Sequence, residues 1–489
     1  MTPRSASALN SSFSDYQADR RGHWDLVARQ LDSWTGWGSS YHRRLAQVYA
    51  FVAAPGQRVL EIGCGRGDLL ASLRPALGVG VDFSPEMIRR AARRHPGLHF
   101  LQADAHALPF GSPFDVIVLS DLVNDLWDVQ TVLEQVARLA TPRTRIVLNV
   151  YSRLWELPLE LSHRLGLSKP TLYQNWLTVD DLDSLLSLAG LEKIRAWPEV
   201  LFPLPVPLLS TFFNRFLVRF WPFNELGLTN FVVARRRPRP GDGRSAPPAG
   251  PPLVSVIIPA RNEAGNIPEI FARTPEMGRG TELVFVEGHS KDRTFEAIEA
   301  AIASHPERPS KLLRQAGAGK GDAVRLGFAH AGGEVLMILD ADITVPPETL
   351  PRFYRALVQG SGEFINGVRL VYPMEKQAMR FFNVIGNKVF SLAFTWLLGQ
   401  PVKDTLCGTK VLWRADYERI AANRAYFGDF DPFGDFDLLF GAAKQNLKIV
   451  DLPIRYRERT YGSTNIQRWK HGWLLLKMTW FAFRRMKLA

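Results

Sequence analysis

The stretch Val335-Leu336-Met337-Ile338-Leu339-Asp340-Ala341-Asp342 runs five apolar residues straight into two acids set one residue apart. Five apolar residues without alternation are the pattern of a strand buried on both faces, as in a parallel sheet. Asp340 and Asp342 leave the end of that strand, with Val345-Pro346-Pro347 behind them. Side chains that converge where a strand breaks into a turn can share one hard cation. Mg2+ or Mn2+ held by a few carboxylates keeps phosphate oxygens among its other ligands. A solvated acidic turn has the same spelling, so the neighbours of Asp340 and Asp342 must decide.

Working outward, residues 253–258 read as a strand leading into Pro259-Ala260-Arg261-Asn262-Glu263. Residues 282–286 read as a second strand, ending at Glu287-Gly288-His289, and Gly319-Lys320-Gly321-Asp322-Ala323 opens a helix. Acids, a lysine and glycines thus gather on one edge of a mostly parallel sheet, the edge where open α/β sheets bind ligands. Downstream lie Asn366-Gly367-Val368-Arg369, an aromatic-rich amphipathic stretch over 379–398 carrying Arg380 and Lys388, and Asp404-Thr405-Leu406-Cys407-Gly408-Thr409-Lys410. Phe433-Gly434-Asp435-Phe436-Asp437 and the run from Tyr456 through Arg459 and Ser463 to Thr464 follow.

In this order the motifs resemble those of the family 2 glycosyltransferases of GT-A fold, most closely the polyprenyl-phosphate sugar transferases, over residues 253–471. The resemblance implies a nucleotide sugar as donor, met by Pro259, Glu263 and Glu287 at the nucleoside and by Lys320, Arg459 and Ser463 at the diphosphate. Glu287 stands at the first acid of the family's Asp-Asp-Gly-Ser motif, whereas Gly288 stands in place of the second. Asp340 and Asp342 become the metal site, with Thr344 where relatives often place Gln, and Arg369 and Arg380 reach the acceptor phosphate. Asp404, with Asp435 or Asp437, fills the catalytic acid positions. A lipid phosphate is already an anion at neutral pH, so these acids would mainly position groups. If the acceptor is a glycan hydroxyl, one of them must take a proton.

The N-terminal half carries a second pattern. Val59-Leu60-Glu61-Ile62-Gly63-Cys64-Gly65-Arg66-Gly67 is an apolar strand running into a glycine-rich turn, and Val79-Gly80-Val81-Asp82 is a strand ending in an acid about twenty residues on. Strand ends at Asp104-Ala105 and at Ser120 complete a βαβαβ pattern with a parallel sheet. The set Glu-x-Gly-x-Gly-x-Gly, Asp82 and Asp104 resembles the class I S-adenosylmethionine-dependent methyltransferases, well over 45–150 and loosely over 151–235. It implies that Gly63 and Gly65 lie under the methionine part of the cofactor. Asp82 would hold the ribose, Asp104 and Ala105 would meet the adenine, and Glu61 would orient the loop. Asp121, Asn124 or Asp125 could act as base, bind hydroxyls, or simply open a helix. Thr178 is the expected N-cap of a helix over 179–188.

The chain has 489 residues, 46% hydrophobic and 22% charged, with a formal net charge of +12. The length fits about two to four domains, and the charge favours a partner bearing phosphates, such as a nucleotide, a nucleic acid or an anionic membrane face. Two distant cysteines, Cys64 and Cys407, argue against a disulfide framework and for a reducing compartment. No nucleic-acid-binding module is recognisable. The stretches 201–221 and 473–488 suit a membrane surface better than its centre. The expected architecture is therefore a flexible, then helical segment over 1–40, a Rossmann-like methyltransferase domain over 41–234, a Pro/Gly/Arg-rich linker over 235–252, and a GT-A domain with an amphipathic C-terminal helix over 253–489. The expected function is a bifunctional enzyme, peripheral at the cytoplasmic face of a membrane. It would transfer a sugar to a polyprenyl phosphate or another membrane-associated acceptor and methylate a second acceptor. The alternatives are a soluble glycan hydroxyl as sugar acceptor with methylation of that glycan, one domain kept without catalysis, or, ranked last and suggested by charge alone, a nucleic-acid-binding protein.

Overall fold

The computed structural model describes residues 13–30, 38–164, 172, 174–204, 206–238, 250–369, 371–372, 381–426, 434–457, 459, 461 and 468–488. Two compact units emerge: residues 1–237 with 487–489, and Pro238–Met486.

In the first unit, strands β1 (Arg58–Ile62), β2 (Leu77–Asp82), β3 (His99–Gln102), β4 (Val116–Leu119), β5 (Arg145–Tyr151), β6 (Leu191–Glu199) and β7 (Thr229–Arg236) form one sheet in the order β3-β2-β1-β4-β5-β7-β6. The first five run parallel, while β7 pairs antiparallel with both β5 and β6. Alternation along the strands divides the core. Leu60, Ile117, Leu119, Ile146 and Leu148 face one layer with Val132, Leu133 and Leu182, whereas Val59, Val116, Val118 and Val147 face Leu45, Val48 and Tyr49 on the other. The Val179–Leu188 helix starts on Thr178, the expected N-cap, which forms a reciprocal capping box with Asp181. Strand order reverses between β1 and β4, and a crevice for ligands opens outside the carboxyl ends of those strands.

Two expectations change here. The sheet is not parallel throughout, because β6 and β7 close it as an antiparallel pair. Arg235 and Arg236 also belong to β7, not to a solvated linker. Arg235 is fully buried and its guanidinium meets Glu192 at 2.6 Å, the pairing that a buried charge requires. Within the 201–221 stretch, residues 209–219 form short helical turns between β6 and β7, and Leu208 and Trp221 are exposed.

The second unit repeats the layout with β8 (Val254–Ala260), β9 (Thr281–Glu287), β10 (Ser310–Arg314), β11 (Val335–Ile338), β12 (Phe364–Val368), β13 (Lys410–Trp413) and β14 (Ile449–Pro453), ordered β10-β9-β8-β11-β13-β12-β14. Strands β10, β9, β8 and β11 are mutually parallel; β13 runs antiparallel between β11 and β12. The quoted apolar run is β11, and Val335 to Leu339 are all within about 1% of full burial. Its carboxyl end, beside that of β8, is the point where strand order reverses.

Candidate active site

Three strand ends of the second unit break in the left-handed region on residues other than glycine: Asn262 after β8 (φ 58°), His289 after β9 (φ 55°) and Ile343 after β11 (φ 55°). A β-branched residue at positive φ is strained, and strain of this kind gathers where backbone is held for function. Between these turns lies a groove of about 530 Å3 lined by Pro259, Arg261, Glu263, Gly288, His289, Gln315, Lys320, Asp340, Asp342 and Arg459, a volume within the range of small-molecule sites. Pro259, Glu263, Lys320, Arg459, Asp340 and Asp342, chosen from the sequence for one ligand, therefore meet in one place. Glu287 sits below the rim, buried, and takes the backbone N–H of Ser290 at 2.5 Å.

The groove is ordered by ion pairs. Lys320 Nζ, at the start of the Lys320–His330 helix, lies 2.5 Å from Asp340 Oδ1. Arg459 donates to Asp342 Oδ2 at 2.6 Å and to Glu263 Oε1 at 3.1 Å, joining positions 117 and 196 residues away. Thr344 donates through its hydroxyl to Asp342 Oδ1 at 2.7 Å, so it orients the acid. Burial opposes ionisation of Asp340, but Lys320, then Arg369 and Lys410, hold its carboxyl below the usual range. Burial also dominates at Glu263, pushing it up to about 7, with Arg459 opposing and Asp342 assisting. Gly408 explains why the Asp404–Lys410 segment can pass over this pair. A Cβ there would fall 2.1 Å from Lys320 Nζ and 2.2 Å from Asp340 Oδ2.

Asp404 lies at the end of a different network. It is fully buried and accepts from Arg369 Nε at 2.7 Å, Arg369 Nη2 at 2.9 Å, Asn387 Nδ2 at 2.9 Å and the Leu406 backbone at 3.1 Å. Burial raises its pKa, yet Arg369 outweighs that and keeps the carboxyl ionised below its ordinary range. With both oxygens engaged, Asp404 fixes Arg369, whose guanidinium also lies over the Tyr456 ring at 5.2 Å. Asp437 is likewise withdrawn from the groove, buried against Arg424 at 2.8 Å and Arg325 at 3.6 Å. Asp435 begins the Asp435–Lys444 helix, next to Gly434, which packs on Gly321. Arg380 and Ser463 lie outside the described residues.

Sequence reasoning missed Gln315. Directly after β10, it donates to the Gly319 carbonyl at 2.7 Å and Asp322 Oδ2 at 2.9 Å. Its Oε1 would lie 2.9 Å from a Cβ at position 288. The place where the motif's second acid is absent is thus flanked by an amide. Its only local signal was a polar residue at a strand end.

In the first unit the turn Gly63-Cys64-Gly65-Arg66-Gly67 takes positive φ at each glycine (74°, 51° and 74°), a path that only glycine follows without cost. Asp82, at the end of β2, braces it: Oδ2 accepts the Gly65 N–H and Oδ1 the Ser84 N–H, both at 2.9 Å. Burial raises Asp82 to about 6 against those two bonds. Glu61 is buried; burial raises it to about 8, against the opposing pull of the Leu70 backbone. Gly63, Asp82, Asp104 and Ala105 line one pocket with Ile62, Val81, Leu122 and Leu126. Two carboxylates beside apolar walls suit a nucleoside, whose hydroxyl and amino groups donate and whose ring stacks. Of the candidate acceptor residues, Asn124 is spent on backbone, donating to Asn175 O and accepting from Tyr151 N. Asp121 has φ 51° and is held by Tyr41 at 2.8 Å and Asn149 at 2.5 Å.

Fold and site together define two α/β units, each with its ligand groove at a switch in strand order. Residues 255–419 match the family model for glycosyl transferase family 2, and residues 59–143 match that for a methyltransferase domain. The second unit is therefore a family 2 glycosyltransferase domain and the first a methyltransferase domain. Among curated proteins, the chain is 36% identical over 112 residues to the undecaprenyl-phosphate 4-deoxy-4-formamido-L-arabinose transferase of Pseudomonas aeruginosa, covering 22% of this chain and 33% of that protein. It is 36% identical over 219 residues to the dolichol-phosphate mannosyltransferase of Pyrococcus furiosus, covering 44% and 59%. The chain thus spans between one third and three fifths of the length of these relatives. Among solved structures, the methyltransferase bound to the Trm112 activator of Haloferax volcanii is similar at 19% identity and TM-score 0.35, over 44% of this chain and 98% of that one.

Proposed function

We propose that the second unit transfers a sugar, with inversion, from a nucleotide sugar to a membrane-borne polyprenyl phosphate, and that the first methylates an acceptor with S-adenosylmethionine. The observation that carries the sugar transfer is the meeting of Lys320, Asp340, Asp342, Arg459 and Glu263 around one groove. Asp340 and Asp342 are the residues that would hold a divalent cation: both carboxylates line the groove, and the Lys320 and Arg459 groups now 2.5–2.6 Å from them would yield those oxygens to the ion. When bound there, Mg2+ or Mn2+ supplies positive charge to the leaving diphosphate. Lys320 and Arg459 turn from the acids to the phosphate oxygens, where preorganised donors stabilise developing charge. Arg369, clamped by Asp404, receives the acceptor phosphate, for which Arg is suited by its paired N–H groups. Such an acceptor oxygen is already ionised, so a fully engaged Asp404 need not act as a base.

Peripheral membrane attachment is supported by the Phe381–Leu398 and Arg468–Met486 helices, which pack together through stacked Trp396 and Phe483. Leu392 (72% exposed), Trp473 (72%) and Trp480 (61%) stand open to solvent, with exposed Lys388, Lys477, Arg484 and Arg485 nearby in sequence. No helix among the described residues is long and apolar enough to cross a membrane. Exposed tryptophans with basic neighbours suit an interfacial helix. In the first unit, Asp82 and Asp104 are the proposed ribose and adenine contacts of S-adenosylmethionine, whose sulfonium supplies the methyl group. The test is incubation with a panel of nucleotide sugars, a polyprenyl phosphate and Mn2+, followed by mass spectrometry of the lipid extract. A lipid heavier by one glycosyl residue supports the reading; an unchanged lipid with every donor rejects it.

A further inference from the structure

The helix Phe13–Gln30 lies on the pocket of the first unit. Tyr16, Gln17 and Arg20 line it together with Asp82, Asp104 and Ala105. Gln17 Nε2 donates to Asp104 Oδ2, the Tyr16 hydroxyl donates to the Asp125 carbonyl, and Arg20 pairs with the Asp125 carboxylate. Trp24 Nε1 donates to the same carboxylate at 2.8 Å. The Phe13 and Tyr16 rings rest on Trp127, with centroids 6.3 and 5.0 Å away. At the far end, Asp25 accepts from the Ser84 hydroxyl at 2.5 Å and from the Glu86 N–H at 3.3 Å, while Val27 and Ala28 pack with Met87. The space left beneath the helix is about 40 Å3, room for a water or so, where small-molecule sites measure roughly 300–1,000 Å3.

We propose that this helix is a gate on the cofactor pocket, closed in the structure, which must swing aside before S-adenosylmethionine enters. The proposal rests on the methyltransferase reading and adds an order of events to it. Gln17 holds an oxygen of Asp104, the acid proposed to meet the adenine, so helix and cofactor compete for one carboxylate. The contacts over the pocket are mainly hydrogen bonds and an ion pair, which the donors of an incoming nucleoside and water can replace. The Asp25 and Val27–Ala28 anchorage lies toward the other end of the helix, so the Tyr16–Arg20 end can lift while Asp25 stays docked. Cofactor affinity is then reduced by the fraction of molecules that stand closed.

The experiment is stopped-flow binding of S-adenosylmethionine to the full chain. Compared are the wild type, the double variant Gln17→Ala/Arg20→Ala, and the control Asp19→Ala, whose side chain is exposed on the helix. Removing the two pocket-side contacts shifts the equilibrium toward the open form, and association should be about tenfold faster. The control should match the wild type. In the wild type the observed rate should level off at high cofactor concentration, because opening precedes binding. This second readout needs no variant and holds even where the double variant folds poorly. A wild-type rate that rises linearly throughout, or a folded double variant that associates no faster, overturns the gate. Absence of binding in all three proteins overturns the methyltransferase reading itself.

Discussion

Gly408→Ala is the perturbation that the second site resists most specifically. The added methyl carbon would stand 2.1 Å from Lys320 Nζ, 2.2 Å from Asp340 Oδ2 and 2.7 Å from Asp340 Cγ. Lys320 can swing away on its long stem, but Asp340 sits on a short side chain at a strand end and must rotate or shift. The 2.5 Å Lys320–Asp340 pair opens. Both side chains are 27% exposed, so losing their attraction costs at most about 1 kcal/mol and lowers the melting temperature of a unit this size by about 2–4 °C. Cation binding suffers more, since misplacing the groups that orient a ligand costs about 10–100-fold in metal affinity. Titration with Mn2+ followed by electron paramagnetic resonance measures this directly, with Asp340→Asn alongside. Wild-type Mn2+ affinity in a folded Gly408→Ala protein would refute the claim that Asp340 is a ligand held in place by this close approach.

Asp404→Ala leaves Arg369 without its buried partner, which costs about 3–5 kcal/mol. Chemical unfolding of the second unit should show it, and a loss under about 1 kcal/mol would mean the pair does not form. Glu61→Gln tests a pH dependence. The folded carboxyl titrates at about 8, the unfolded one at about 4.3. Between these values only the folded state keeps the proton, so wild-type stability falls as pH rises through this window, by at most about 1.36 kcal/mol per pH unit. The variant cannot ionise there, and its stability relative to the wild type should climb between about pH 5.5 and about pH 8.5; a constant difference contradicts the buried proton. Asp82→Ala removes the brace of the glycine turn as well as the proposed ribose contact. Calorimetry should find S-adenosylmethionine binding weaker by about 1.5–3 kcal/mol, and unchanged affinity would reject Asp82 as a ligand.

Much of this was legible because it is local. An unbroken apolar run followed by acids gave β11 and its Asp340–Asp342 turn, and the glycines at 63, 65 and 67 announced a turn that needs positive φ. Thr178 ahead of residues 179–188 marked the N-cap of that helix. The partners were not legible. Nothing in the spacing says that Arg459 will reach Glu263 and Asp342, or that Asp404 will spend its oxygens on Arg369. Such pairings depend on which strand ends the topology brings together, and β13 inserted between β11 and β12 is what carries Gly408 over Asp340. A helical segment before residue 40 was expected, but what the helix Phe13–Gln30 docks against was obscure for a related reason. It is polar, and it docks largely by hydrogen bonds to Asp104, Asp125 and Ser84, which leave little apolar periodicity to read. Arg235 looked like the start of a basic linker because its partner, Glu192, lies on the neighbouring strand.

The central claim is that one chain holds two independent transferase sites, the second acting on a lipid phosphate. The most direct measurement is mass spectrometry of a polyprenyl phosphate incubated with nucleotide sugars and Mn2+, using wild type, Asp342→Asn and Asp82→Ala, with S-adenosylmethionine binding measured on the same samples. Glycosylated lipid should form with wild type and Asp82→Ala and fall by orders of magnitude with Asp342→Asn, which still binds S-adenosylmethionine normally. Lipid that stays unmodified with every donor, or a loss of both activities together in either variant, would contradict it.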